Sequence, residues 1–246
     1  MHRILNIARN ENNNEDLIEQ PNADCIFLTS VKADLNLLAN LEVKDVGRIK
    51  NNIRALNIQY LQTPAQIDHY INKTITNSKL VVIRLFGDRG TWSYGLEQIR
   101  LWVKLNNNKK LIVLSGTEEQ DLALNELSTI STKLSIKLSL LLREGGVQNY
   151  LNFFNCLEYI INNKEIPDKY LSIKSYPDPI FYDWTNEEGP KVGIISYKSL
   201  YLANNSDLSV NLNRYLRKVG LSPKTLFVST LKKENIQNRL IEIFKK

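Results

Sequence analysis

The chain has 246 residues, enough for one large or two modest domains, and its 43% hydrophobic and 24% charged residues are those of an ordinary globular protein. No apolar run approaches the length that spans a bilayer, and the opening MHRILNIARNENNN lacks the apolar core of a secretion signal, so a cytoplasmic protein is expected. The net charge of +6 is uneven: from Lys191 onward 11 Lys or Arg stand against Asp207, Glu234 and Glu242, an excess of +8 that leaves the first 190 residues at −2.

A short apolar start at Ile4 to Ile7 fits an edge strand with a polar, Asn-rich loop behind it. Asp24 to Thr29 (DCIFLT) reads as the first buried strand, and Leu35, Leu38 and Leu41 give the segment from Ala33 helical spacing. After Gly47 and a polar run, Ile53 to Ile58 is a second strand. Thr63-Pro64-Ala65-Gln66 is a helix start, with Thr63 as N-cap, proline at the first helical position and Gln66 completing a capping box. His69 on this helix stands without a ligand partner and reads as a surface or half-buried side chain.

The stretch Lys79 to Trp102 organises the chain. Leu80, Val81, Val82, Ile83 and Leu85 form a strand of the kind buried on both faces of a parallel sheet. Gly87 and Gly90 turn the chain, and Leu96, Ile99 and Val103 then recur at helical spacing. Loops leaving the carboxyl ends of strands are where open α/β sheets bind ligands, and this one carries Arg84, Asp88, Arg89, Trp92 and Tyr94. Two readings stand: a ligand loop, or a solvated turn with Trp92 plugging the core.

Leu111 to Ser115 is the next strand, and Glu118, Glu119 and Asp121 follow it in a loop that reads as solvated rather than cation-binding. Helices follow over Ser131 to Glu144 and Val147 to Ile161, parted by Gly145-Gly146, the second with an apolar stripe through Tyr150, Phe154 and Leu157. Pro167, Pro177, Pro179 and Pro190 mark a linker. Beyond it come a strand at Lys191 to Tyr197 and a helix at Ser206 to Gly220, with Leu208, Leu212, Tyr215, Leu216 and Val219 on one face. A strand at Thr225 to Ser229 and a helix with Ile236, Leu240, Ile243 and Phe244 inward complete the pattern. The fold class is α/β: a doubly wound, mostly parallel sheet domain over 1–165, a proline-containing linker over 166–190, and an incomplete Rossmann-like α/β unit over 191–246 that leaves apolar sheet surface exposed.

The sequence contains no GxGxxG after a strand, no GxxxxGK[ST], no HExxH and no GxSxG. Cys25 and Cys156 lie far apart with no CxxC, so both read as core thiols rather than a disulfide or metal ligands. The C-terminal cations spread along two amphipathic helices with no aromatic platform, which speaks against nucleic-acid binding.

Ordered segments along nearly the whole chain resemble a known family. They are the MHR start, IEQPNADCIFLTS (Ile18 to Ser30), IRALN (Ile53 to Asn57), RLFGDRGTWSYGLE (Arg84 to Glu97), IVLSGTEEQD, LREGGVQN (Leu142 to Asn149) and VGIISYKSLYLANN (Val192 to Asn205). Together they resemble the N-terminal part of the large subunit of cobaltochelatase, the CobN type, related to the magnesium chelatase large subunit, with cyanobacterial members most alike. The resemblance implies a part in ATP-dependent insertion of cobalt into a corrin ring in cobalamin biosynthesis. It implies a large subunit that binds the tetrapyrrole, partner AAA+ subunits that hydrolyse ATP, and no cofactor bound by this chain itself. The residues that match recurrent family segments are Arg84, Arg89, Trp92, Tyr94 and Glu97 in the first part and Tyr197, Ser199 and Asn205 in the second. Arginines suit the carboxylates of a propionate-bearing ring and aromatic faces suit its macrocycle.

The chain departs from the family in having Gly87-Asp88 for Gly-Gly, Lys198 for Arg, and Ser115-Gly116-Thr117-Glu118 for a Pro-Gly-Asp-Asp type turn. Family large subunits also exceed a thousand residues, so the expectation is a truncated or split product, inactive alone and completed by the remainder of the large subunit. An autonomous module holding a tetrapyrrole or another carboxylated ligand at Arg84 to Glu97 is the alternative, and a two-domain glycosyltransferase is a weaker third.

Overall fold

The computed structural model describes residues 6–9, 16–41, 52–117, 121–185 and 188–245. Two compact units emerge, one from residues 1–143 with 148–173, the other from 144–147 with 174–246.

In the first unit a two-stranded antiparallel ribbon, β1 (Asn6–Arg9) and β2 (Asp16–Glu19), precedes a four-stranded parallel sheet of β3 (Cys25–Thr29), β4 (Ile53–Asn57), β5 (Leu80–Leu85) and β6 (Lys110–Ser115). The order is β4-β3-β5-β6, with all pairs parallel. Every residue of β3 and β5 is buried, which is why both read as near-continuous apolar runs.

Helices cover both faces. Helix α1 (Lys32–Asn40) lies on the face of Thr29, reached by its buried Asp34. Helix α2 (Pro64–Tyr70) and α3 (Ser93–Leu105) lie on the other, where Ile67, Tyr70, Leu96, Ile99 and Trp102 pack on Ile26, Leu28, Val81 and Ile83. The capping box forms as its residues dictate: Thr63 Oγ1 accepts from the Gln66 amide at 3.3 Å and Gln66 Oε1 accepts from the Thr63 amide at 3.1 Å. After the single turn α4 (Leu122–Asn125), capped by Asp121, come α5 (Thr132–Glu144) and α6 (Gly146–Ile161), then the short α7 (Asp168–Leu171). Phe153 and Phe154 of α6 close on Phe27 of β3 with ring centroids 6.0 and 6.2 Å away. His69 is half-buried with Nε2 3.0 Å from Glu19. Glu118 and Glu119 lie outside the described residues.

The second unit holds a three-stranded sheet, β7 (Ile180–Tyr182), β8 (Lys191–Tyr197) and β9 (Ser222–Val228), in the order β7-β9-β8, with β7 antiparallel and β8 parallel to β9. The range expected as linker, 166–190, thus carries α7 and β7. Helices α8 (Lys198–Leu202) and α9 (Asp207–Lys218) connect β8 to β9, and α10 (Glu234–Phe244) follows. Asn213 of α9 accepts a 2.8 Å hydrogen bond from Thr225, whereas Ile236 and Leu240 of α10 pack on Leu226 and Val228, so the two helices take opposite faces.

Helix α9 carries its one-sided apolar stripe on the outside. It turns Ser209 and Asn213 inward and leaves Leu208, Leu212, Tyr215 and Val219 exposed. The buried hydroxyl of Thr225 selects the polar side of the helix, and the apolar stripe is left facing out.

Candidate functional site

The first sheet changes winding direction between β3 and β5. From β3 the chain steps to β4 on one side, then returns to build β5 and β6 on the other, so the crevice above the carboxyl ends of β3 and β5 is the switch point where such sheets take ligands. Ser30 ties this edge together. Its amide donates to the Arg84 carbonyl at 3.0 Å and its Oγ accepts from the Phe86 amide at 2.6 Å. The Gly116 amide donates to the Leu85 carbonyl at 2.6 Å, drawing β6 in. Gly87 has φ 127°, a left-handed value that frees the loop to leave the sheet sharply.

Arg84 does not face this crevice. Its guanidinium is buried, with Nη1 2.5 Å from Asp34 and 3.1 Å from the Tyr150 hydroxyl, and Nε 3.4 Å from the Ser115 carbonyl. Thr29 Oγ1 donates to the other Asp34 oxygen at 2.6 Å, and the Tyr150 hydroxyl donates to Asp34 as well. Burial opposes the charge on Arg84, but Asp34 and then Tyr150 outweigh it and hold the guanidinium above its ordinary pKa. Burial, reinforced by Asp34, pushes the Tyr150 phenol well above its ordinary value. Arg84 is therefore an internal ion-pair partner, with Nη1 and Nε committed to protein groups.

Trp92 is also internal. It is buried, and Nε1 donates to the Leu61 carbonyl at 2.8 Å. The indole thus packs in the core beneath the loop. Tyr94 is half-buried and its hydroxyl lies 3.0 Å from each Asp68 carboxylate oxygen; that hydrogen bond, ahead of burial, raises its pKa. The exposed members are Asp88, Arg89 and Glu97. Asp88 caps the loop through the Gly90 amide at 2.8 Å, and Arg89 donates to the Ala123 carbonyl.

Sequence reasoning passed over Phe86, 64% exposed directly above β5. The signal was available, since a phenylalanine between the last strand residue and a left-handed glycine has no helix or strand face to pack against. Phe86 offers an aromatic face and Arg89 a cation on one exposed loop, an arrangement that suits a planar, anionic ligand. It holds no nucleophile paired with a base. Among the described residues no group of three or more His, Cys, Asp or Glu is placed to hold a metal ion. Both cysteines are buried, and burial pushes the Cys156 thiol up to about 12.

The second set falls in the other unit. Tyr197 ends β8 and is exposed, Ser199 is exposed on the first turn of α8, and Asn205 is exposed after α8, its amide donating to the Leu200 carbonyl at 2.9 Å. These three also lie beyond the carboxyl end of a parallel strand.

No protein-family model matches the sequence. Two curated relatives do. Aerobic cobaltochelatase subunit CobN of Pseudomonas aeruginosa is 24% identical over 226 residues, 87% of this chain, and the subunit of the same name from Sinorhizobium sp is 23% identical over 235 residues, 88% of this chain. The chain is a homologue of the CobN cobaltochelatase subunit. It spans 18% of the length of each of these CobN relatives. The solved catalytic subunit of cobaltochelatase from Mycobacterium tuberculosis has the same fold over 89% of this chain and 17% of its own, with a TM-score of 0.56 at 18% identity. The CobN relation thus covers both α/β units. No helix among the described residues is long and apolar enough to cross a membrane.

Proposed function

We propose that this chain serves as part of the tetrapyrrole-binding large subunit of an ATP-dependent cobaltochelatase, which inserts cobalt into a corrin ring in cobalamin biosynthesis. The observation that carries the reading is the similarity to two CobN subunits across 87% and 88% of the chain. The metal is substrate in this reaction, and ATP is hydrolysed by partner AAA+ subunits. The role of these residues is binding: Phe86 and Arg89 on the switch-point loop meet the ring face and a peripheral carboxylate, with Glu97 exposed on α3. In the second unit Tyr197, Ser199 and Asn205 offer an aromatic face and polar contacts of the same kind.

By itself the chain does not chelate. The test is reconstitution: the purified chain, cobalt, a metal-free corrin and ATP, with and without the ATPase subunits and the remaining part of a CobN subunit, following cobalt insertion by absorbance. Insertion only in the complete mixture is expected; insertion by the chain alone defeats the reading. The exposed Phe86 and Arg89 favour one alternative, an autonomous module that binds a carboxylated ring without further partners. Corrin titration beside the reconstitution separates the two: saturable binding by the chain alone, lost in Phe86→Ala and Arg89→Ala, with no insertion in the complete mixture, makes it the autonomous module.

A further inference from the structure

The second unit repeats the opening of the first. In the first, β3 is laid down, the chain crosses through α1 to β4, and α2 then returns along the opposite face to β5, which pairs with the far edge of β3. In the second, β8 is laid down, the chain crosses through α9 to β9, and α10 lies on the face opposite α9. Strand β8 thus stands where β3 stands and α10 where α2 stands. The counterpart of β5 and α3 is the next piece of the pattern, and a right-handed return through α10 delivers it to the far edge of β8.

The surface of β8 agrees. All five residues of β3 are buried, whereas β8 alternates between exposed and half-buried along its length. On the α10 face Ile195 is 45% and Tyr197 59% exposed, and the ring of Phe244 lies over Gly193. The edge is set as well. The Pro190 carbonyl accepts from the Ser222 amide at 2.9 Å, so by strand alternation Val192, Ile194 and Ser196 bond toward β9 while Gly193 and Ile195 turn their N–H and C=O outward. Among the described residues β8 pairs with β9 alone.

We infer that the outer edge of β8 is a docking site for a parallel, apolar β-strand followed by an amphipathic helix, supplied by the rest of a cobaltochelatase large subunit. The strand bonds Gly193 and Ile195, and the helix covers Ile195 and Phe244 as α3 covers β3 and β5, leaving Tyr197 at the strand end open. The choice of occupant rests on the CobN reading, in which this chain accounts for 18% of the curated relatives' length.

The experiment mixes the full chain with Pseudomonas aeruginosa CobN lacking the region this chain matches, and follows amide exchange by NMR together with complex formation by light scattering. A one-to-one complex is expected, with exchange at Gly193 and Ile195 slowed while Phe86 is unaffected. Ile195→Pro removes an outward donor without touching the β9 ladder, so it weakens the complex by about tenfold or more with the fold retained. Ile195→Lys, which charges the bare face and leaves the backbone alone, does the same. A complex that leaves exchange at Gly193 and Ile195 unchanged and tolerates both variants overturns the docking site while the CobN reading stands. No complex at tens of micromolar overturns it too, and the cobalt-insertion assay then decides the CobN reading separately.

Discussion

Arg84 sits at a strand end where a cation looks like a ligand hook, yet Asp34, five residues past the end of β3 in the first turn of α1, claims it from inside. Both side chains are almost fully buried, 6% and 0% exposed. Removing one partner strands the other, so Asp34→Ala is expected to lower the unfolding free energy by about 3–5 kcal/mol, measured in urea. The triple replacement Asp34→Leu, Arg84→Met and Tyr150→Phe is expected to recover most of that, because the two charges and the phenol that bonds both of them go together. Cys156 gives a pH test. Its thiol is held up to about 12 in the folded chain by burial, against 9.0 in the reference state. The folded form keeps its proton where the unfolded form loses it, so this stabilisation is complete below pH 9.0 and is lost as pH rises from 9.0 through about 12. Urea midpoints from pH 8 to 11 should fall along that window, and Cys156→Ala should make the fall shallower, the rest coming from Cys25, whose thiol burial also raises.

At the scale of elements, the junction from β5 to α3 depends on one close contact. The Trp92 indole lies against the first turn of α3, and a Cβ at Gly95 would clash with its Cε2 and Cζ2 atoms. Gly95 is needed there for space, since its φ is not left-handed. Gly95→Ala should therefore destabilise the first unit by about 1–3 kcal/mol by overpacking, despite alanine's better helix propensity, and the thermal midpoint reads this directly. Thr63→Ala, which removes one arm of the capping box on α2, should cost about 1 kcal/mol by the same measurement.

At the scale of the whole chain, each unit has its own core. The first buries β3 to β6 between helices on both faces; the second rests on the small cluster of Leu226, Val228, Ile236 and Leu240, with Ile180, Leu202 and Phe227 on the opposite face. Less buried apolar surface means less stability, so unfolding should occur in two steps with the second unit first. Tryptophans report the units separately: Trp92 and Trp102 are in the first, and Trp184, whose Nε1 donates to the Thr225 carbonyl at 2.8 Å, is in the second. Trp184→Phe should erase the early fluorescence transition and leave the later one. A single transition with all three tryptophans changing together would contradict independent cores.

The strands β3, β5 and β6, the capping box at Thr63 and the strand-loop-helix character of Lys79 to Trp102 were legible from local pattern. Burial on both faces selects continuous apolar runs, and helix ends select their own caps. Local pattern also showed an arginine, a tryptophan and a tyrosine in one loop, but not which way each side chain points. That choice depends on groups distant in sequence: Asp34 and Tyr150 for Arg84, the Leu61 carbonyl for Trp92, Asp68 for Tyr94. Helix α9 carries the same lesson in reverse. Its spacing marks an apolar stripe without saying what the stripe faces, and the hydroxyl of Thr225 turned Asn213 inward and the stripe outward. The chain by itself determined which segments are strand and which are helix, because those preferences are local; only the tertiary structure decided which side chains became core and which were left for a ligand or partner, because burying a polar group requires a specific partner that folding alone brings into reach.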